Sequence, residues 1–216
     1  LRRMAVTEPI KMVITNYQED QVVVFAIPYN PRNEAEGTRD VPFTRELYIE
    51  KSDFAQVPPP KFQRLKPDGE VRLMGAYIVK CNEVITDDNG EVVELRCTAD
   101  LETGNGMPTD GRKVKGTIHW VSAKHAIDAS CYLYENLFTL ENTGDVPEGK
   151  DYLDFLNPDS LKQLTGCKLE PSIAEVPEGT RMQFVRMGYF IKDKEEGRFN
   201  RIVTLKDSFA KTLQGK

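Results

Sequence analysis

Apolar and polar residues alternate along much of the chain, which is the pattern of β-strands with one buried face. The alternation is strictest over residues 115–122, near the middle of the sequence. One predicted face would carry Lys115, Thr117, His119 and Val121, and the other Gly116, Ile118, Trp120 and Ser122. Because Ile118 and the single tryptophan, Trp120, offer a large apolar surface, this segment is predicted to be a central strand.

Strand patterns recur at 11–17, 21–27, 41–50, 70–73, 76–81, 91–98, 132–138, 168–170, 181–185, 188–192 and 199–205. The first two segments are separated by a short polar turn and are predicted to form a hairpin. Asp88-Asn89-Gly90 is a strong hairpin signal between the strands on either side of it. Helix patterns are few: residues 153–163 predict one short helix, and residues 52–54 predict one helical turn.

Many short strands without helical crossovers predict an all-β fold of antiparallel barrels or sandwiches. A chain of 216 residues has room for one large domain or for two units of about 100 residues each. The strand pattern is interrupted between residues 122 and 131 and then starts again, so we place the boundary between two units there.

Composition and charge narrow the class of protein. A net charge of −5 argues against sequence-independent binding of nucleic acid, although a local basic cleft is compatible with it. No apolar run approaches the roughly 18–20 residues of a membrane span, and the N-terminal segment lacks the apolar core of a signal peptide. The four cysteines are widely spaced, so we expect reduced, buried thiols in a cytoplasmic protein. Because the chain begins with Leu1 rather than Met, we also expect a fragment of a longer product.

Motifs for catalysis and for metal binding are missing from the sequence. There is no Gly-x-x-x-x-Gly-Lys phosphate loop, no Gly-x-Ser-x-Gly nucleophile elbow and no zinc-type cluster of Cys and His. The two histidines, His119 and His125, are six residues apart, which does not match the usual spacing of zinc ligands. We therefore expect no catalytic residue and no metal site in this chain.

Basic and aromatic residues follow the polyproline segment at 57–61, namely Lys61, Phe62, Arg64, Lys66 and Arg72. Guanidinium groups donate to base acceptors and phosphates, and aromatic rings stack on unpaired bases, which is how single-stranded RNA loops are recognised. An ordinary charged surface can have the same composition. The residues alone therefore leave both an RNA contact and a solvated surface open.

The segment Val114-Lys-Gly-Thr-Ile-His-Trp-Val-Ser-Ala123 resembles a signature strand of glutaminyl-tRNA synthetases, which eukaryotic and archaeal glutamyl enzymes share. Further similarities follow in the same order along the chain at Arg2-Arg3-Met4-Ala5-Val6, Val41-Pro-Phe43, Glu70-Val-Arg-Leu73, Ala76-Tyr-Ile-Val-Lys80, Leu95-Arg-Cys-Thr98, Leu137-Phe138, Asn157-Pro158, Gln183-Phe184, Gly188-Tyr-Phe190 and Phe199-Asn-Arg201. The class I catalytic signatures, His-Ile-Gly-His and the Met-Ser-Lys loop, are absent. The chain thus resembles the C-terminal anticodon-binding region of the bacterial-type family alone.

This resemblance implies two small antiparallel β-barrels, similar to a ribosomal protein that binds 5S rRNA, with one or two short helices. Residues 10–122 would form one barrel, and residues 1–9 together with 123–216 would form the other. The implied partners are the anticodon loop of a glutamine tRNA and a catalytic domain of the same polypeptide, with no membrane and no DNA. ATP and Mg²⁺ would belong to that catalytic domain, so this chain is expected to hold neither.

The resemblance also assigns anticodon-binding roles to individual residues. Arg2 and Gln183 correspond to the residues that read the middle uridine. Arg64, with Gln63 beside it, corresponds to the site for the third base, a guanosine, and Arg72 to a contact with the first base. Lys61 is also expected to be an anticodon-binding residue. These assignments are chemically sensible, because an amide both donates to and accepts from uracil, while arginine donates two hydrogen bonds to guanine.

Three positions depart from the family pattern: Gln63 replaces a lysine, Met74 an arginine and Arg32 an asparagine. Without a guanidinium at Met74, we predict relaxed discrimination between cytidine and uridine at the first anticodon base. Three alternatives remain open. They are the anticodon-binding region of a glutamyl-tRNA synthetase, a free-standing rRNA-binding barrel, and an independent enzyme.

Overall fold

A computed structural model of the protein describes residues 1–205, and β-strands dominate this range. The strands of this range are, in chain order, β1 (Arg2–Arg3), β2 (Ala5–Val6), β3 (Pro9–Ile14), β4 (Val23–Pro28), β5 (Thr38–Phe43), β6 (Glu46–Glu50), β7 (Glu70–Leu73), β8 (Ile78–Thr86), β9 (Val92–Asp100), β10 (Thr117–Ile118), β11 (Trp120–Ser122), β12 (Ile127–Tyr134), β13 (Leu161–Leu169), β14 (Arg181–Phe184), β15 (Gly188–Lys192) and β16 (Arg198–Val203). Short 3₁₀ turns lie at Glu34–Glu36, Lys51–Asp53, Tyr152–Phe155 and Pro171–Ile173. The fold is all-β, as the strand pattern predicts. Over residues 1–205, no helix has the length and apolar character needed to cross a membrane.

The first of two seven-stranded sheets has the strand order β10-β7-β8-β9-β3-β6-β11. Its edge strands, β10 and β11, are consecutive in the chain and are separated only by His119. Before His119 the segment pairs with β7, where Thr117 lies beside Arg72, and after it the segment pairs with β6. One extended segment therefore contributes both edges, and the sheet is a nearly closed barrel, which we call the first barrel.

The second sheet closes in the same way, at the N-terminus of the chain. Its order is β1-β14-β15-β16-β12-β13-β2, and the two edge strands β1 and β2 are separated only by Met4. Arg2 pairs with Gln183 of β14 on one side of this residue, and Ala5 pairs with Leu169 of β13 on the other. We call this nearly closed sheet the second barrel. The chain passes from the second barrel into the first between β2 and β3, and returns between β11 and β12.

Each barrel has its own hydrophobic core. Trp120 is fully buried in the first barrel, where its indole N–H donates to the carbonyl oxygen of Met74 at 3.0 Å. The ring of Phe43 meets it edge-on with a centroid distance of 5.1 Å. In the second barrel Phe184 stacks on Phe190 with centroids 4.4 Å apart. These large rings stabilise both cores through buried area and ring geometry. The four cysteines are buried free thiols.

Two of the sequence predictions on local structure are wrong. The segments 11–17 and 21–27 do not form a hairpin, because β3 pairs with β6 and β9 while β4 pairs with β5. Residues 153–163 do not form a helix, because the 3₁₀ turn ends at Phe155 and β13 begins at Leu161. Alternation shows that a segment is extended, but the choice of its neighbour depends on long-range packing.

The hairpin predicted at Asp88-Asn89-Gly90 is confirmed, since this turn joins the paired strands β8 and β9. Residues 41–50, predicted as one strand, form β5 and β6 with a break at Thr44 and Arg45. The largest difference concerns residues 118–122, all of which are buried although alternation predicted a polar face. This segment closes the first barrel with one side and contacts β2 of the second barrel with the other, so neither side meets water.

A buried carboxylate, Glu170, joins the N-terminal segment and the second barrel to the separate β4–β5 pair. Glu170 directly follows β13 and accepts the backbone N–H of Met4 at 2.8 Å, at the point where the second barrel closes. Arg39 of β5 donates to both carboxylate oxygens, at 2.5 and 3.0 Å, and the Nε atom of Arg3 lies 3.6 Å from one of them. All three charged side chains are at least 95% buried. Ion pairs in such surroundings have to satisfy one another, because water does not reach them.

We expect Glu170→Ala to lower the free energy of unfolding by about 3–5 kcal/mol, since the change leaves two buried guanidinium groups without their counter-charge. Urea unfolding followed by fluorescence of Trp120 measures this loss. Glu175→Ala, an exposed position in the same region, is the matched control and should change the free energy by less than about 0.5 kcal/mol. Equal effects of the two variants would contradict a structural role for Glu170.

Candidate nucleic-acid interface

The structure brings Arg2 and Gln183 together across the β1–β14 pair. These residues are direct partners in the parallel register, and the Nε–H of Arg2 donates to Oε1 of Gln183 at 3.1 Å. Both side chains line a cavity of about 380 Å³, whose wall also includes Tyr29, Tyr189 and Arg181. No local pattern indicates that two residues 181 positions apart would be neighbours. The family resemblance supplied that expectation.

The walls of this cavity suit a flat, polar ligand. Tyr189 is 42% exposed, and the Tyr29 ring is held from behind by the Arg3 guanidinium, 4.4 Å from the ring centroid. The backbone N–H of Arg2 donates to the Tyr29 carbonyl oxygen at 3.1 Å, which fixes the tyrosine loop against β1. An amide and a guanidinium beside aromatic rings can both stack on an unpaired base and hydrogen-bond to its edge.

Arg32 lies in the exposed turn between β4 and β5, next to this cavity but not in its wall. Its backbone N–H donates to the Asn30 side chain at 3.0 Å, and Asn30 and Glu36 of the same turn do line the cavity. Arg32 is thus placed at the rim, where a long cationic side chain can reach the phosphates of a bound strand.

A second cavity, of about 250 Å³, lies beside the loop that carries residues 61–64, and residues of both barrels line it. Lys61 and Gln63 are exposed and Arg64 is partly buried, and the cavity wall is completed by Gly116, Thr117 and Arg186. Lys61 adopts a φ of +63°, a left-handed conformation that non-glycine residues rarely take. The loop is therefore held in one particular shape by its contacts rather than by local preference.

Gly116 is the contact that fixes this loop most closely. It has a φ of +92°, and a Cβ atom added there would lie 1.8 Å from the carbonyl oxygen of Gln63. Only glycine allows the backbone of the segment leading into β10 to pass so near to the backbone at Gln63. A glycine within an extended segment predicts such a close backbone approach, and the structure identifies Gln63 as the neighbour.

On its outer side the loop borders a third cavity, of about 380 Å³, with a positive character. Its lining includes Lys66, Lys113 and Lys115 together with Arg64, against the carboxylates of Asp68 and Glu70. The two lysines at 113 and 115 were not among the predicted site residues. Their approach to the 61–66 loop depends on the path of residues 101–116, which alternation does not reveal.

Behind Arg64 lies a buried group of charged and polar side chains. Asp53, in the 3₁₀ turn after β6, has a side chain that is 1% exposed. Its Oδ1 atom lies 3.5 Å from the Arg64 Nε atom, and Arg64 also donates to the Ser52 carbonyl oxygen at 3.0 Å. Arg186 donates to Asp53 Oδ2 at 2.7 Å. Sequence reasoning missed Asp53 and Arg186, and the nearness of Arg186 to Gln183 in the chain was the one available signal.

His119 and Glu50 complete this buried group. The His119 ring lies 3.7 Å from Asp53 through Nδ1 and 3.9 Å from Glu50 through Nε2, and neither nitrogen has a hydrogen-bond partner. Burial lowers the pKa of His119 to about 4, so the ring is neutral at pH 7. Burial also raises the pKa of Glu50 to about 7, although the N–H groups of Thr7 and Glu8 that donate to the carboxylate act in the opposite direction.

Arg72 is engaged with backbone carbonyl groups. Its Nη1 atom donates to the carbonyl oxygens of Ala76 at 3.0 Å and Gly104 at 3.3 Å, and Nη2 donates to that of Gly106. These bonds fasten the loop after β9 to the β7–β8 turn. Met74, in the same turn, is partly buried against the first core. The roles of Arg72 and Met74 at the first anticodon base stay predictions.

Two family models match the chain, and both carry the description "tRNA synthetases class I (E and Q), anti-codon binding domain". One matches residues 1–100 and the other residues 117–193, so together they account for most of the sequence. The chain belongs to this family. The unmatched segment between them is the loop that Arg72 fastens and that carries Lys113 and Lys115.

Relatives from three bacteria are similar over nearly the whole chain, and each is named glutamine–tRNA ligase. The protein of Xanthomonas campestris pv. campestris (strain 8004) is 49% identical over 215 residues, which is 97% of this chain and 37% of the relative. That of Rhodopirellula baltica is 48% identical, over 97% of this chain and 35% of the relative. That of Pseudomonas syringae pv. tomato is 46% identical, over 96% of this chain and 37% of the relative. The chain spans little more than a third of the length of these proteins.

Polar and positively charged side chains line the cavities of this anticodon-binding region. Among residues 1–205, no group of three or more His, Cys, Asp or Glu side chains is arranged to hold a metal ion.

Gly116→Ala should destabilise the chain more than Gly90→Ala, although both glycines have a positive φ. Gly90, at φ +81°, has open space where a Cβ would lie, so its replacement should cost only the left-handed backbone penalty of about 1–2 kcal/mol. At Gly116 the collision with Gln63 should add about 1–3 kcal/mol. Urea unfolding compares the two variants, and equal losses would show that the loop moves away freely.

Glu50→Gln should make stability fall more steeply in acid than it does in the wild type. The folded chain retains the Glu50 proton up to about pH 7, whereas the unfolded chain releases it near pH 4.5, so this group favours the fold as the pH falls. His119 has the opposite effect, because its unfolded pKa is 6.5 and its folded pKa is about 4. Of these two opposing contributions to the pH dependence of stability, the variant keeps only that of His119.

The free energy of unfolding of Glu50→Gln, measured in urea at steps from pH 7 to 4.5, should drop relative to the wild type by at most about 1.4 kcal/mol per pH unit. Glu178→Gln, at an exposed position, serves as the control and should run parallel to the wild type. A Glu50→Gln profile that is also parallel would contradict the raised pKa of Glu50.

Proposed function

We propose that this chain binds the anticodon loop of a glutamine tRNA and recognises its bases, as one part of a glutamine–tRNA ligase. The observation that supports this most strongly is the Arg2–Gln183 pair, joined at 3.1 Å in the wall of a cavity with two tyrosines. A primary amide, a guanidinium and exposed rings are the groups that recognise an unstacked pyrimidine. Membership of the anticodon-binding family and the names of the relatives agree with this reading.

In this proposal each cavity receives one base. The cavity between Arg2 and Gln183 takes the middle uridine, with Arg32 at its rim. The cavity beside Lys61, Gln63 and Arg64 takes the third base, a guanosine, for which an arginine fork is the usual recognition group. The first base would lie near the β7–β8 turn, where Met74 offers an apolar contact that does not distinguish cytidine from uridine.

We further propose two barrel domains, residues 10–122 and residues 1–9 with 123–216, as the tRNA-binding part of a longer cytoplasmic polypeptide. The relatives are nearly three times as long as this chain, which leaves room for a catalytic domain. That domain would use ATP and Mg²⁺ to join glutamine to the tRNA. This chain would contribute affinity and base specificity, and no catalytic group.

Three alternatives make different predictions. A glutamyl-type region belongs to the same described family, but it would prefer a different third base from guanosine. A free-standing rRNA-binding barrel would prefer helical rRNA to an open anticodon loop. An independent enzyme would show turnover by the isolated chain. The names of the relatives favour the glutamine type over these alternatives.

The test is binding of the 216-residue chain to a labelled anticodon stem-loop at one fixed salt concentration. We expect the stem-loop with uridine in the middle to bind at least about tenfold more tightly than one with cytidine there, which is about 1.4 kcal/mol. Gln183→Ala should bring this ratio close to one, because the amide that recognises the uracil edge is removed.

Gln163→Ala is the matched control for that variant, since Gln163 is exposed on β13 and does not line the cavity. It should leave the ratio at its wild-type value. Equal binding of both stem-loops by the wild-type chain would overturn base recognition by this fragment, and an equal loss for both in Gln183→Ala would indicate a backbone contact only.

A further inference from the structure

Two arginines from different barrels meet at one buried carboxylate. Arg64 comes from the loop after the polyproline segment of the first barrel, and Arg186 comes from the β14–β15 turn of the second. Both line the cavity beside residues 61–63, and both contact Asp53 behind it. Asp53 therefore links the proposed site of the third base to the strand that ends just before Arg186.

Arg186 contacts Asp53 through both terminal nitrogen atoms of its guanidinium group. Nη1 donates to Oδ2 at 2.7 Å, and Nη2 lies 2.6 Å from Oδ1. The first contact is a hydrogen bond and the second is a close ion-pair contact, and together they hold the guanidinium against the carboxylate. Arg186 itself has a φ of +67°, so these two contacts hold a side chain whose backbone is in a strained conformation.

Asp53 is rigidly placed, because its own surroundings are buried and bonded. Its side chain is 1% exposed, and its backbone carbonyl oxygen accepts the N–H of Leu65 at 2.9 Å. The turn that carries Asp53 is thus tied directly to the residue after Arg64. One carboxylate thus contacts two guanidinium groups, whose side chains are 21% and 27% exposed.

Arg186 also connects Asp53 to the cavity that Arg2 and Gln183 line. Arg186 follows Gln183 by three residues, and the intervening Val185 N–H donates to the Arg3 carbonyl oxygen at 2.9 Å. A shift of Arg186 would therefore displace the end of β14 and change the geometry of the β1–β14 pair, in which Arg2 and Gln183 are partners.

We propose that Asp53 is a positioning residue that couples recognition of the middle and third anticodon bases by holding Arg64 and Arg186 in one fixed arrangement. This inference rests on the proposed function of the two cavities. It extends that function, because it assigns a role in middle-base recognition to residues that do not line the middle-base cavity.

The test compares four variants of the 216-residue chain with the wild type, using stem-loops with the parent anticodon, a changed middle base or a changed third base. Asp53→Asn keeps the size of the side chain and removes its charge. Arg186→Gln removes the arm at a partly exposed position and carries the test if Asp53→Asn fails to fold. Arg64→Gln removes only the proposed third-base contact. Arg201→Gln is the matched control, since Arg201 lines the neighbouring cavity with Arg186 but pairs with Glu135.

We expect Asp53→Asn and Arg186→Gln to reduce discrimination at both bases, from about tenfold or more to about threefold or less. Arg64→Gln should reduce it at the third base alone, and Arg201→Gln should change the affinity for all three stem-loops by the same factor. Urea unfolding of each variant separates these effects from a loss of folded protein.

A loss in Asp53→Asn and Arg186→Gln that is equal for all stem-loops, or confined to the third base, would overturn the coupling. If the wild-type chain itself fails to discriminate, the proposed function fails first, and the two failures are thereby distinguished. A normal middle-base ratio in Arg186→Gln, with the wild type discriminating, overturns the further inference alone.

Discussion

Both barrels depend on buried carboxylates placed where the barrels close. Each barrel is completed by one extended segment that changes partners at a single residue, Met4 in the second barrel and His119 in the first. At Met4 the free backbone N–H is taken by Glu170, and His119 lies between Glu50 and Asp53. A residue at which the chain switches from one neighbouring strand to another lies outside the regular strand pairing. In a buried position its backbone N–H and C=O groups therefore need other hydrogen-bond partners. Glu170 supplies such a partner at Met4, and Glu50 accepts the N–H groups of Thr7 and Glu8, where the N-terminal segment passes from the second barrel into the first.

The same interactions shape the proposed RNA surface. Glu170 holds Arg3 and Arg39, and Arg3 in turn supports the Tyr29 ring at the edge of the Arg2–Gln183 cavity. Asp53 holds Arg64 and Arg186 at the cavity beside residues 61–63. The groups that would contact bases are thus orientated from behind by charges that never meet solvent. Such prior ordering lowers the entropy lost when a ligand binds.

This arrangement also explains how a chain with a net charge of −5 can be suited to RNA. The positive side chains that matter are local, at residues 61–66, 113 and 115, and at the arginines behind them. A local site with shaped cavities gives base selectivity, whereas an extended basic surface would bind any nucleic acid through its phosphates. The acidic remainder of the surface therefore works against indiscriminate binding.

The sequence by itself determined the all-β class, the Asn89-Gly90 hairpin and the burial of Trp120, because alternation and turn chemistry are local properties. The prediction of a central strand for the Trp120 segment is wrong, because this segment supplies the edge strands β10 and β11. Through the family resemblance it also pointed to Arg2, Gln183 and Arg64. Only the tertiary structure decided which strands pair and that residues 118–122 are buried on both sides. It also decided that Arg72 is bound to backbone carbonyls and that Asp53 joins two arginines from different barrels. Those features arise from contacts between residues far apart in the chain, and a one-dimensional pattern carries no record of which distant groups will share a buried charge.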